Sequence, residues 1–168
     1  IWFKSFNFSS TSGPSFADVI ISDNKLIITG LVDYALGISG MMLIGQIDTS
    51  GTVDHFRYFK SNHSIIGLRI RPYSTNEHII TGKISVDTIP SNNVTSCFFV
   101  MKIDSLFTPI WHSAFLTNDN GTDQANAIFT VHDNRILIGG QASQGGNSAY
   151  CFLMDLDSLG TQLATKLY

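Results

Sequence analysis

Three aspartates return at the same place in a repeated pattern. They stand in Asp48-Thr49-Ser50-Gly51, Asp104-Ser105-Leu106-Phe107 and Asp157-Ser158-Leu159-Gly160. Brought together, three carboxylates would suit proton transfer or a hard cation. Spread one per repeat, each instead accepts backbone N–H groups at the head of its own turn, and the glycine supplies positive φ at the end. The second reading is preferred here. The five histidines, His55, His63, His78, His112 and His132, show no H-x-H or H-x-x-x-H spacing, so no zinc site is expected and each reads as a surface or strand-face histidine. The run Asn118 to Asp123 lacks the order and the distal glutamate of an EF-hand loop. The glycine-rich run Gly139 to Gly146 lacks the lysine and following helix of a phosphate cradle. No Ser or Cys nucleophile sits in a recognisable motif with a base. No catalytic, cofactor-binding or metal-ligating residue is therefore expected, and the chain is not read as an enzyme.

A different chemistry is marked by four N-x-Ser/Thr sequons, at Asn7, Asn62, Asn93 and Asn120. These are candidate N-glycosylation sites, and they favour an extracellular or cell-surface protein. The aromatics Trp2, Phe56, Tyr58 and Trp111 are expected in the core between repeats rather than on a ligand platform. Cys97 and Cys151 lie at opposite parity on equivalent strands, so they occupy opposite faces of their own sheets and could point at each other. Free buried thiols are expected all the same, because packed sheets stand about 10 Å apart and a disulfide needs Cα atoms within about 7 Å.

Composition narrows the remaining choices. Hydrophobic residues are 43% and charged residues 14%, with a net charge of −3. No basic footprint for nucleic acid is present, and no run of like charge suits a membrane surface. The longest apolar runs, such as Cys97 to Met101, are far too short for a spanning helix, so no membrane insertion is expected. The chain opens inside a strand-like segment, Ile1 to Phe6, and closes inside another, Leu163 to Tyr168. A processed product or a piece of a longer protein is expected from that.

The aspartates belong to a three-fold repeat that must position everything else. Its period is about fifty-five residues, and 168 residues hold a single repeat domain, with copies at roughly 1–54, 55–109 and 110–168. Each copy reads as four short strands. The first covers Ala17 to Ser22, Ile66 to Arg71 and Ala125 to Val131; Ile66, Leu68 and Ile70 there alternate with Gly67, Arg69 and Arg71. The second covers Lys25 to Thr29, His78 to Thr81 and Arg135 to Ile138, ending at Gly30, Gly82 and Gly140. The third covers Met41 to Ile47, Cys97 to Ile103 and Cys151 to Leu156. The fourth is the Trp-type strand, at Ile1 to Phe6, His55 to Lys60, Ile110 to Phe115 and Leu163 to Tyr168.

This order resembles the β-propeller repeats of the form W … D-x-A … D-(G/N) … I-I-x-G … (L/I)-D-x-x-G. Trp2, Ala17, Asp23, Asn24, Gly30, Ile47, Asp48 and Gly51 carry the likeness in the first copy, and Trp111, Asp123, Ala125, Asp133, Asn134, Gly140, Asp157 and Gly160 in the third. The second copy lacks the Trp and the D-x-A element. The resemblance implies an all-β, propeller-like array of three four-stranded antiparallel blades. A β-trefoil or β-prism is the alternative.

Three blades do not close a ring. The function expected is thus a non-enzymatic structural or assembly module of an extracellular glycoprotein, part of a larger ring or filament. Its partners would be further blades or identical subunits. A carbohydrate- or protein-binding propeller module, lectin-like, with glycans as possible ligands, is the alternative.

Overall fold

The computed structural model describes residues 15–34, 38–61, 63–87, 94–117, 121–131, 134–144 and 148–168. Trp2 and the four sequon asparagines Asn7, Asn62, Asn93 and Asn120 lie outside them, as do His132 and Asp133. The described chain is all-β. Its strands are β1 (Ser15–Ser22), β2 (Lys25–Tyr34), β3 (Ile38–Asp48), β4 (Val53–Phe59), β5 (Ile65–Ser74), β6 (Glu77–Asp87), β7 (Val94–Asp104), β8 (Pro109–Phe115), β9 (Gly121–Val131), β10 (Arg135–Gln144), β11 (Ser148–Leu156) and β12 (Gln162–Leu167). No helix among the described residues is long and apolar enough to cross a membrane.

Within each run of four, consecutive strands pair antiparallel. Strands β1-β2-β3-β4 make one four-stranded sheet. Three separate sheets were expected, and here the structure differs. Strands β5 to β12 form one eight-stranded sheet, because β9 continues along the edge of β7 beyond the end of β8. Among the described residues that junction is one parallel pair, Ser96 with Thr122.

Each four-strand run carries a β-bulge at the same site. Pairing slips between Phe16 and Asp18, between Gly67 and Arg69, and beside Ala125 opposite Gly140. The bulge explains the recurrent glycine. A Cβ at Gly30, Gly82 or Gly140 would overlap the carbonyl oxygen of Ser15, Ile66 or Gln124 across the ladder. The bulge also corrects two sequence expectations. Ala17 sits in the bulge and Phe16 pairs with Gly30, whereas Ala125 itself pairs with Gly140, so the two alanines are one residue out of register. The alternation read along Ile66–Arg71 does not survive Leu68 either. Gly67 and Ile70 are both buried, because one extra residue reverses the face of those that follow.

Two hydrophobic clusters fill the spaces between sheet layers. Ile27, Met42 and Ile44 of the first run meet Ile70, Ile80, Phe99, Met101 and Phe107 of the second. Ile79, Phe98 and Val100 of the second meet Ile128, Ile136, Ile138, Phe152 and Met154 of the third. The alternation of β7 is thus split between neighbours: Phe98 and Val100 face one way, Phe99 and Met101 the other. Phe98 is fully buried and stacks on Phe152 with ring centroids 4.6 Å apart. Burying such a side chain stabilises by about 1.5–3 kcal/mol.

Candidate functional site

The three aspartate turns have one geometry. Asp48 Oδ1 accepts the amides of Ser50 and Thr52 at 2.9 and 2.8 Å. Asp104 Oδ1 accepts those of Leu106 and Thr108 at 2.9 and 2.7 Å, and Asp157 Oδ1 those of Leu159 and Thr161 at 2.9 and 2.8 Å. The Ser50 hydroxyl and the Thr52 amide hold the Asp48 carboxyl below its usual range, and the Thr161 amide chiefly does so for Asp157. The carboxylates are engaged in separate turns, as capping requires.

The fourth residue of each turn sets how neighbouring layers meet. Its φ is positive in all three: +85° at Gly51, +60° at Phe107 and +80° at Gly160. Glycine takes that conformation freely, whereas phenylalanine does so at a cost of about 1–2 kcal/mol. Phe107 is fully buried nonetheless, against the cluster that joins the first and second runs. The facing residue is His55 on β4, whose register against Gln46 equals that of Trp111 on β8 against Lys102. His55 therefore stands in the Trp position. Its ring lies 4.6 Å from that of Phe107, centroid to centroid. At the next interface the sizes are exchanged: Trp111 covers Gly160, where a Cβ would lie 2.7 Å from the indole. The outer strands of the first two runs are also tied to the following turn. Arg57 donates to Thr108 Oγ1 at 3.0 Å, and Trp111 Nε1 donates to the Ser158 carbonyl at 3.0 Å.

A polar pair guards the same corner of every run. Lys25 and Gln46 both reach Asp54, at 2.8 and 2.9 Å. Lys102 pairs with Glu77 at 2.9 Å and lies over the Tyr73 ring. Arg135 Nε donates to Asp155 Oδ1 at 3.0 Å, so the polarity of the third pair is the reverse of the second.

Beside the first of these corners lies a cleft of about 430 Å³, between the turn ends of the first two runs. Its walls include Asp23, Gln46, Asp54, His55 and His78. His78 occupies the position of Leu26 and Ile136 in the other runs and is 2% exposed, so it is not a surface histidine. Among the described residues neither of its ring nitrogens has a hydrogen-bond partner. Burial lowers its pKa, only partly opposed by Asp23, and so favours the neutral ring. Among the described residues no group of three or more His, Cys, Asp or Glu side chains could hold a metal ion. Such a cleft offers hydrogen-bonding groups to a polar ligand.

A comparison with protein-family models and with curated proteins finds no match for this chain.

The other sequence candidates scatter. Phe56 covers Gly45 and Trp111 packs on the second cluster, but Tyr58 is exposed, as is His112. Cys97 is buried and burial raises its pKa, whereas Cys151 is exposed, and both thiols are free. They do not point at each other. Cys97 shares the face of Phe99, towards the first run, and Cys151 shares that of Leu153, away from the second. Phe107 and His78 were missed. The signal for each was a residue that breaks the repeat: a phenylalanine where the copies have glycine, and a histidine where they have Leu and Ile.

Proposed function

We propose that this chain is a non-enzymatic structural and assembly module of an extracellular glycoprotein, in which further propeller-like blades extend the array into a ring or filament. One observation carries the reading. Met42 and Ile44 in the first run, and Phe98 and Val100 in the second, are fully buried under the run that follows. The equivalent residues of the third run are Cys151 and Leu153, and both are exposed. Phe129 beside them is 65% exposed. A repeat array that leaves its interlayer face uncovered is built to continue.

The sequons add to this reading. The strand ends that flank 62, 88–93 and 118–120 lie away from the aspartate turns, so sugar there would leave the turn rim free. Native material tests both parts. The chain should be recovered in a particle much larger than its own 18.4 kDa, and glycopeptide mass spectrometry should find sugar on the sequons. Recovery as a free 18.4 kDa species would refute assembly. Unmodified asparagine at all four sites would refute the glycoprotein assignment.

The unpartnered nitrogens of His78 support a second reading, a binding module for a small polyhydroxyl ligand such as a sugar. Saturable, competable binding on a glycan array, lost in His78→Leu, would favour it.

A further inference from the structure

We propose that the outer face of β9–β12 receives a further four-stranded unit of the same repeat that carries a bulky side chain at its turn position, and not the first run of a second copy of this chain. This rests on the assembly reading above and names the partner. The face carries Phe129, Leu137, Cys151, Leu153, Ala164 and Tyr168, with the polar Gln141, Asp155 and Lys166 among them. Register equates it with the face of β5–β8 that β9–β12 covers. Phe98 pairs with Phe115 as Cys151 pairs with Tyr168. Phe115 packs on the core, whereas Tyr168 is 66% exposed.

The turn position states what the partner must bring. Lys102 pairs with Trp111, Gln46 with His55, and Asp155 with Ala164. Trp111 is answered by a glycine and His55 by a phenylalanine. Ala164 is smaller than both, so only a large residue in the incoming turn fills the gap, and a void there would forfeit its contacts. A second copy of the chain offers the wrong shape. Its first-run turn carries Gly51, and Ile28, Leu43 and Ile47 on the corresponding face are already buried. A head-to-tail contact would oppose glycine to alanine on a face that is not free.

Cys151, exposed and central to the face, reports its occupancy by thiol labelling. The full chain extended at Tyr168 by a copy of residues 61–117 supplies a fourth unit with phenylalanine at the turn. Labelling of the Cys151 peptide should slow about tenfold or more relative to the unextended chain. Phe107→Gly in the added copy should restore most of the reactivity. Adding Ala164→Trp to that variant should slow labelling again, because it recreates the pairing of Trp111 with Gly160. With Cys97→Ala in the added copy, Cys97 of the original β7 must stay unlabelled throughout, which shows that the array is folded. Equal reactivity of Cys151 in all forms, or equal protection by phenylalanine and glycine, would overturn the proposal. Neither result touches the native particle mass, on which the assembly reading stands separately.

Discussion

The rings of His55 and Phe107 lie tilted at 35° with centroids 4.6 Å apart, and this pair is the size-reversed counterpart of Trp111 over Gly160. Across the first interface the turn supplies the large side chain; across the second the strand supplies it. Changing one partner alone should fail. Phe107→Gly should lose about 3–5 kcal/mol of aromatic burial and regain about 1–2 from relief of its φ. His55→Trp should overpack by about 1–3 kcal/mol. The double variant should fall short of the summed losses by about 1–3 kcal/mol in urea unfolding. Simple additivity would show that the two residues do not fill a common space.

Gly139 and Gly140 make a controlled contrast. A Cβ at Gly139 would rest 3.6 Å from that of Ala127, an ordinary contact. One at Gly140 would overlap the Gln124 carbonyl and the Phe152 ring. Gly139→Ala should therefore be neutral or stabilise by up to about 1 kcal/mol, while Gly140→Ala should destabilise by about 3 kcal/mol or more. Thermal melts of the two variants decide it; similar melting points would mean that the bulge does not need its glycine.

His78 should make the fold sensitive to mild acid. Its pKa in the folded chain lies below the ordinary value of about 6.5, so between the two values the unfolded chain holds more protons. Stability is then full above about pH 6.5 and falls as pH drops towards the depressed value. His78→Leu, the residue of the first run, should flatten that part of the profile. Urea midpoints compared between pH 7.5 and 5 test it, and an unchanged slope would assign the acid response elsewhere.

The turn aspartates act in a lower range. Asp48 and Asp157 have carboxyl pKa values below the ordinary value, so their contribution is present above it and is lost as pH falls through the depressed values. Asp157→Asn keeps an acceptor oxygen for the Thr161 amide. It should retain the turn and remove that residue's share of the acid transition, whereas Asp157→Leu should lower the melting temperature at neutral pH. If both variants melt alike at neutral pH, the carboxylate oxygen does not hold the turn.

Local chemistry was readable and packing was not. Asp48, Asp104 and Asp157 announced their turns, because one carboxylate serving two amides is a short-range device. The glycines after β-rich runs marked the right places for an incomplete reason, since the demand comes from a carbonyl on the next strand. Phe107 could not be foreseen by a rule that reserves positive φ for glycine; the core outweighs that cost. Parity put Cys97 and Cys151 on opposite faces correctly, yet whether a face is covered depends on the neighbouring layer. The pairing of Ser96 with Thr122 has no sequence signature, because one parallel contact leaves no periodicity.

That same lone pair of residues bears on how the molecule opens. Among the described residues one backbone pair joins β9–β12 to the strands before it, so the last run is a cooperative unit held there mainly by side chains. All six residues of β12 are exposed. Amide hydrogen exchange should therefore be fastest along β12 and slowest in β6 and β7, which have apolar side chains buried on both faces. In the chain on its own, unravelling would start at β12, whose outer edge pairs with no other described strand.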